Sequence, residues 1–196
     1  MYIERSKLKF NSDLRAQARE QLAGNWSNAV LVALFSFMII AASAITVIGP
    51  LLLTGPFLLG ASIFTIHLAR KEEARIENAF EGFNRFAKAF TLYILMMVFT
   101  FLWTLLFVIP GIIAYLRYSL SFYVLNDNPE MDASAALERS KELMKGQKGK
   151  LFTLYLSFIG WAFLCTLTLG IGYLWLAPYV QTSVANFYEN VKNAHA

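Results

Sequence analysis

The sequence predicts an all-α polytopic membrane protein. Six transmembrane helices are expected as three helical hairpins, each preceded by a short amphipathic cytoplasmic or interfacial helix. Three observations lead there: long charge-free runs, a turn signal inside each run, and basic residues gathered on one side of the expected spans. Of the 196 residues, 57% are hydrophobic and 15% charged, against about 25% charged in an ordinary soluble domain. With His67 neutral, no charge falls from Gln21 to Ala69, from Ala89 to Leu116, or from Leu151 to Tyr188. A spanning helix needs roughly 20 apolar residues, so each run is too long and too apolar for a soluble core element. The first apolar run also far exceeds a signal-peptide core, and a cleaved signal is not expected.

The elements follow in chain order. "NSDLRAQAREQLAG" offers Ser12 as a cap, an apolar line of Leu14, Ala18 and Leu22, and Gly24 as a stop. A first span is expected near Asn28–Ile48. A tight turn at Gly49 and Pro50 leads to a second near Leu51–Leu68. "ARIENAFEGFNRFAKAF" puts Ile76, Ala79, Phe80, Phe83 and Phe86 on one helical face. The second arm runs from Phe90 to Ile109, turns at Pro110 and Gly111, and returns to about Asn126. "MDASAALERSKELMKG" has Asp132 or Ser134 as cap, Ala136, Leu137, Ser140 and Met144 at helical spacing, and Gly146 as stop. The third arm runs from Leu151 to Leu169, turns at Gly170 and Gly172, and returns to about Tyr188. The amphipathic helices suit the interface, with basic residues toward headgroups; packing together as a cytoplasmic cap is the alternative.

Lysine and arginine then orient the chain. Arg5, Lys7, Lys9, Arg15 and Arg19 precede the first span. Arg70, Lys71, Arg75, Arg85 and Lys88 lie between the first two arms. Arg139, Lys141, Lys145, Lys148 and Lys150 lie between the last two, and Lys192 follows the last span. The hairpin turns hold none, so both termini are expected in the cytoplasm. The net charge of +4 reads as a basic face beside anionic lipid. Nucleic-acid binding is not expected, because the basic residues flank spans rather than interleaving with exposed aromatics.

An internal repeat is also expected, over about residues 12–70, 72–128 and 132–192 of one membrane domain. A shift of 122 residues puts Gly24 on Gly146, Leu22 on Met144 and Pro56 on Pro178, and a shift of 60 relates Gly49-Pro50 to Ile109-Pro110. Repeats of this kind can build transporters around a midplane site, and they also arise for structural reasons.

The chemistry inside the spans is sparse. All 13 acidic residues lie outside the expected hydrocarbon region. His67 and His195 are scattered, so no metalloprotease ligand cluster and no serine–histidine pair forms within the spans. No catalytic residue, metal or cofactor is therefore expected, and no enzyme. Cys165 lies in an apolar run and reads as a small buried hydrophobe.

Arg117 is the exception. A charge in a span costs about 2.5–3.5 kcal/mol on the insertion scale, so the guanidinium must face protein, water or a headgroup. It can snorkel toward the outer interface, or bond carbonyls and hydroxyls in the bundle. It can also bind an anionic headgroup, whose phosphate matches the arginine fork. Tyr118 is its neighbour, and Ser121 lies at i+4 on the same helical face. Asp127, where this span ends, is expected to pair with Arg139 or to cap the next helix.

The stretch from Ile109 to Trp161, with Leu167 to Val191 and the opening Leu14–Leu34, resembles the domain-of-unknown-function-975 family of bacterial integral membrane proteins. Arg117-Tyr118-Ser119 followed by the Ala136–Gly146 pattern is more distantly similar to the membrane domain attached to some glycerophosphodiester phosphodiesterases. The resemblance implies a bacterial cytoplasmic membrane protein with no established activity, and no catalytic residues to carry over. The expected function is non-enzymatic binding of lipid, chiefly anionic, or of a membrane-protein partner or second copy. The alternatives are a transporter or flippase on the three-fold repeat, and an accessory or self-protection factor for an exported peptide.

Overall fold

The computed structural model describes residues 10–44, 46 and 48–195, and these are helical with no strand among them. The elements are α1 (Asn11–Leu22), α2 (Trp26–Ser43), α3 (Ile48–Ala69), a 3-10 helix (Ile76–Arg85), α4 (Phe86–Leu106), α5 (Val108–Tyr118), α6 (Ser121–Asp127), α7 (Ala133–Leu143), α8 (Lys148–Leu156), α9 (Ile159–Leu167) and α10 (Tyr173–His195). Five segments are long and apolar enough to cross a membrane: Trp26–Ser43, Ile48–Ala69, Ile76–Leu106, Val108–Asp127 and Lys148–Leu167.

The expected sixth, α10, is not among them. Its second half carries Gln181, Thr182, Ser183, Asn186 and Glu189. Thr182, Ser183 and Asn186 are nonetheless buried, because α10 packs against α1, α2 and α3. Protein covers the polar side of this helix, as it covers much of α3, and α10 can be polar there for that reason.

The short helices fold as their spacing predicts. Leu14, Ala18 and Leu22 of α1 are buried, as are Ala136, Leu137, Ser140 and Met144 in and just after α7. Gly24 and Gly146 follow these helices with left-handed backbones, at φ +88° and +75°, a conformation glycine adopts without penalty. The α7 cap position is the expected Asp132, while that of α1 is not the expected Ser12. Phe10 holds the N-cap position of α1 and Asp132 that of α7, neither with a side-chain cap bond. Ser12 instead donates to its neighbour Asp13.

The Phe-rich segment is a 3-10 helix, not the α-helix its spacing suggests, so a different face is buried. Asn78, Ala79 and Gly82 face inward, while Phe80 and Phe86 stay exposed. Phe83 packs edge-on against Phe57 of α3 at 5.0 Å. This helix presses closely on α3. A Cβ at Gly60 would strike the Ala79 carbonyl, and one at Gly82 would strike that of Pro56.

Two of the turns fall earlier than their glycines and prolines suggest. The α2–α3 connection lies at 44–47, and Gly49 and Pro50 sit in the first turn of α3. The α4–α5 break is the extended Phe107, at φ −161° and ψ 151°, with Pro110 and Gly111 already helical. Proline is tolerated there, since the first helical N–H groups have no partner inside the helix. Glycine is needed there for another reason: a Cβ at Gly49 would hit Ser43, one at Gly111 would hit Thr104, and one at Gly172 would meet Cys165.

Burial divides the molecule into a packed base and exposed tips. The core is built from α1, the end of α3, the start of α4, α6, α7 and most of α10. Long apolar side chains crowd the surface near the connections: Phe37 and Met38; Phe101 through Ile109; Phe163, Leu164, Leu167 and Leu169, the last 94% exposed.

Candidate functional site

The base is held by a charged cluster that draws one residue or more from each stretch of the chain. Arg70 directly follows α3, Asp127 ends α6, and Tyr188, Glu189 and Lys192 lie on α10. Arg70 donates from Nη2 to both oxygens of Asp127 at 2.8 Å, and to Glu189 Oε1 at 2.7 Å. The Tyr188 hydroxyl donates to Asp127 Oδ2 at 2.9 Å, and Lys192 Nζ donates to the same oxygen. Burial opposes the charge on Arg70, but the hydrogen bonds to Glu189 and Asp127 outweigh it and hold its pKa above the ordinary arginine value. Asp127 does not pair with Arg139 as expected; Arg139 bonds Glu142 on its own helix at 3.0 Å. Beside the cluster, Gln21 and Asn186 exchange amide hydrogen bonds at 3.0 and 2.8 Å, and Gln21 also donates to the Ala69 carbonyl at 3.1 Å. These links tie α1 to α3 and α10. Nothing in the local sequence around Arg70 or Gln21 signals them.

Arg117 lies one residue before the end of α5, and Ser119 and Leu120 separate α5 from α6. Ser140 of α7, fully buried, donates its hydroxyl to the Arg117 carbonyl at 2.8 Å. The backbone at Arg117 is therefore level with the amphipathic helix, away from the Phe107 connection and the tips. Among the described residues its guanidinium has no ion pair or hydrogen bond, and Nε is buried without a partner. Tyr118 is buried, 6.2 Å from the Phe99 ring, with Lys141 Nζ 5.6 Å from its own ring. Ser121 is wholly buried and its hydroxyl has no hydrogen-bond partner among the described residues. No hydrogen bond joins Arg117 to either of them: the break at Ser119–Leu120 interrupts the continuous helical register in which i and i+4 share a face.

The rest of the expected basic rim is mixed. Lys141 pairs with Glu138 and reaches over Phe99 at 5.8 Å. Lys145 is exposed and Lys148 half-buried, with no carboxylate within 4 Å of either among the described residues. Lys150 is half-buried, and its carbonyl accepts from Asn11 Nδ2 at 3.3 Å. Among the described residues no three His, Cys, Asp or Glu side chains gather to hold a metal ion.

A model of the family described as "Protein of unknown function (DUF975)" matches residues 8–115 and 104–195. The chain belongs to the DUF975 family. No curated protein and no solved structure matches it, and the more distant likeness to the membrane domain of glycerophosphodiester phosphodiesterases finds no counterpart in these comparisons. This DUF975 chain thus combines an apolar exposed end with a charge-tied base, and the Arg117 guanidinium has no ion pair or hydrogen bond among the described residues.

Proposed function

We propose that the protein is a non-enzymatic, multi-pass protein of the bacterial cytoplasmic membrane that binds anionic phospholipid. Its three helix pairs enter the bilayer tip first as six spans, and the base faces the cytoplasm with both termini. The observation that carries this reading is Arg117. Its guanidinium has no protein partner among the described residues, and its backbone is bonded to α7, the helix that bears Arg139 and Lys141. Arg117 is half-buried with its Nε enclosed; a buried donor without an acceptor is costly, and a phosphate would supply that acceptor through the planar fork of the side chain. Lys145 and Lys148 add charge where anionic headgroups gather, each worth about 1 kcal/mol near such a surface.

A three-fold repeat fits the same reading. The contacts Gly49–Ser43, Gly111–Thr104 and Gly172–Cys165 recur at near-equal intervals along the chain. A shift of 122 residues carries the buried Leu14, Ala18 and Leu22 onto the buried Ala136, Ser140 and Met144. The same shift relates Pro56 of α3 to Pro178 of α10, and Arg117 falls midway between them, where α5 breaks from α6.

The test is native mass spectrometry of the purified protein, comparing the lipids retained by wild type and Arg117→Ala. Selective retention of an anionic lipid, reduced in the variant at unchanged melting temperature, supports the reading. Equal retention with a lower melting temperature would make Arg117 a structural clamp and turn the search to protein partners.

A further inference from the structure

A groove of about 450 Å³ runs between the end of α1, the start of α2, and helices α9 and α10, within the roughly 300–1,000 Å³ typical of small-molecule sites. Its walls are almost wholly apolar and include Trp26, Trp161 and Trp175, three of the chain's four tryptophans. Cys165 is buried in its wall. The only charged side chain lining it is Arg19.

The polar groups at one end lack partners. Arg19 is exposed and has no carboxylate within 4 Å among the described residues. Arg15, one turn earlier on α1, sits over the Phe158 ring at 5.0 Å with its Nε buried and unbonded. Phe158 in turn packs edge-on against Tyr179 at 5.1 Å. Tyr179 lines the groove, is 8% exposed, and its buried hydroxyl has no hydrogen-bond partner among the described residues. Arg19 and the Tyr179 hydroxyl thus line the groove, and Arg15 stands beside it on the far side of Phe158, none of them with an acceptor among the described residues.

The order of these groups matches an amphiphile. Arg19 precedes the first apolar helix and Trp26 opens it, at the depth where arginine and tryptophan meet headgroups. From Tyr179 back to Gly172 the wall follows α10 for about 10 Å at 1.5 Å per residue, away from the base and toward the exposed tip. We propose that this groove holds one acyl chain of an anionic phospholipid, with the phosphate bound among Arg15, Arg19 and the Tyr179 hydroxyl. The site is separate from Arg117 and rests on the reading of the chain as membrane-embedded. Bulk lipid is as apolar as the groove wall, so selectivity comes from the phosphate contacts and the tail supplies position.

The tryptophans provide the test. Trp103→Phe leaves only the three groove tryptophans, and the full chain is reconstituted in phosphatidylcholine vesicles. A small fraction of brominated phosphatidylglycerol is compared with the same fraction of brominated phosphatidylcholine. Quenching by the anionic lipid should reach half-maximum at a several-fold lower fraction, and Arg15→Gln with Arg19→Gln should make the two lipids equal. Equal quenching before any charge is removed overturns the proposal, and that comparison does not depend on the arginine variant folding. A preference that survives in a folded arginine variant overturns it too. A protein carrying only Trp103, on the exposed end of α4, separates the underlying reading. Quenching of Trp103 by brominated phosphatidylcholine places the tip in the bilayer, and its absence removes the membrane reading and the groove proposal together.

Discussion

Arg70 and Asp127 lie 57 residues apart in sequence, yet one guanidinium nitrogen reaches both carboxylate oxygens at 2.8 Å. The Asp127 side chain is only 6% exposed and also accepts from Tyr188 and Lys192. It is the shared acceptor that fastens the end of α6 to the end of α3 and to α10. Asp127→Asn should lower stability by up to about 3 kcal/mol, the low end for breaking a buried pair, because Arg70 keeps part of its side chain in solvent. Glu73→Gln, which removes an exposed pair with Arg75, should leave stability unchanged, because solvent screens such pairs. Denaturant unfolding in detergent measures both, and equal midpoints would deny the cluster its structural role.

The contact between α3 and the 3-10 helix has no room for a methyl group. Gly60→Ala or Gly82→Ala should cost about 1–3 kcal/mol through overpacking. Gly149→Ala, with nothing within 4 Å of the added carbon, should be neutral or stabilise α8 by about 0.5–1 kcal/mol. Melting temperatures of the three variants should separate in that order.

Ser140→Ala removes the hydroxyl that meets the Arg117 carbonyl where α5 ends. The carbonyl loses its side-chain donor in a buried setting, at an expected loss of about 1–2 kcal/mol. Ala135→Gly, at an exposed position of α7, would test helix propensity without touching this bond. If Ser140→Ala melts with wild type, α7 is not anchored through Arg117.

Orientation can be read by labelling single cysteines in a Cys165→Ala background. Positions Glu73 and Lys145 should react with an impermeant reagent from one face of the membrane, and positions Phe107 and Leu169 only from the other. Glu73 and Leu169 reacting from the same side would dismiss the arrangement of spans.

Much of the base was legible because it obeys local rules. The buried lines of α1 and α7 follow directly from spacing at three and four residues, and Gly24 and Gly146 end those segments as left-handed residues do. The third turn falls at Gly170 and Gly172 as expected, whereas the first two are displaced because glycine and proline do not always form the turn. Here they occupy the first helical turn, where glycine lets one helix start against the end of another. The Phe-rich segment misled for a related reason: a 3-10 helix turns every three residues, so counting at 3.6 rotates its face. The Arg70–Asp127 cluster and the Gln21–Asn186 pair were not legible at all, since they join residues whose separation carries no local signal. Arg117 stood out from its neighbours, but the break that separates it from Ser121 did not.

The polarity of α10 also bears on how the chain is made. A helix carrying Gln181, Thr182, Ser183 and Asn186 gains too little from hydrocarbon to leave the translocation machinery alone, whereas α2, α3 and α4 can each partition as they emerge. α10 is synthesised last, when the surfaces of α1, α2 and α3 that will cover it already exist. On the six-span reading proposed above, biogenesis would be ordered: the earlier helices would leave an unfilled socket, and the final segment would complete it. A chain interrupted before Tyr173 would keep its lipid-soluble helices and lose the side chains that satisfy Arg70 and Asp127, presenting quality-control proteases with a charged defect at the membrane surface.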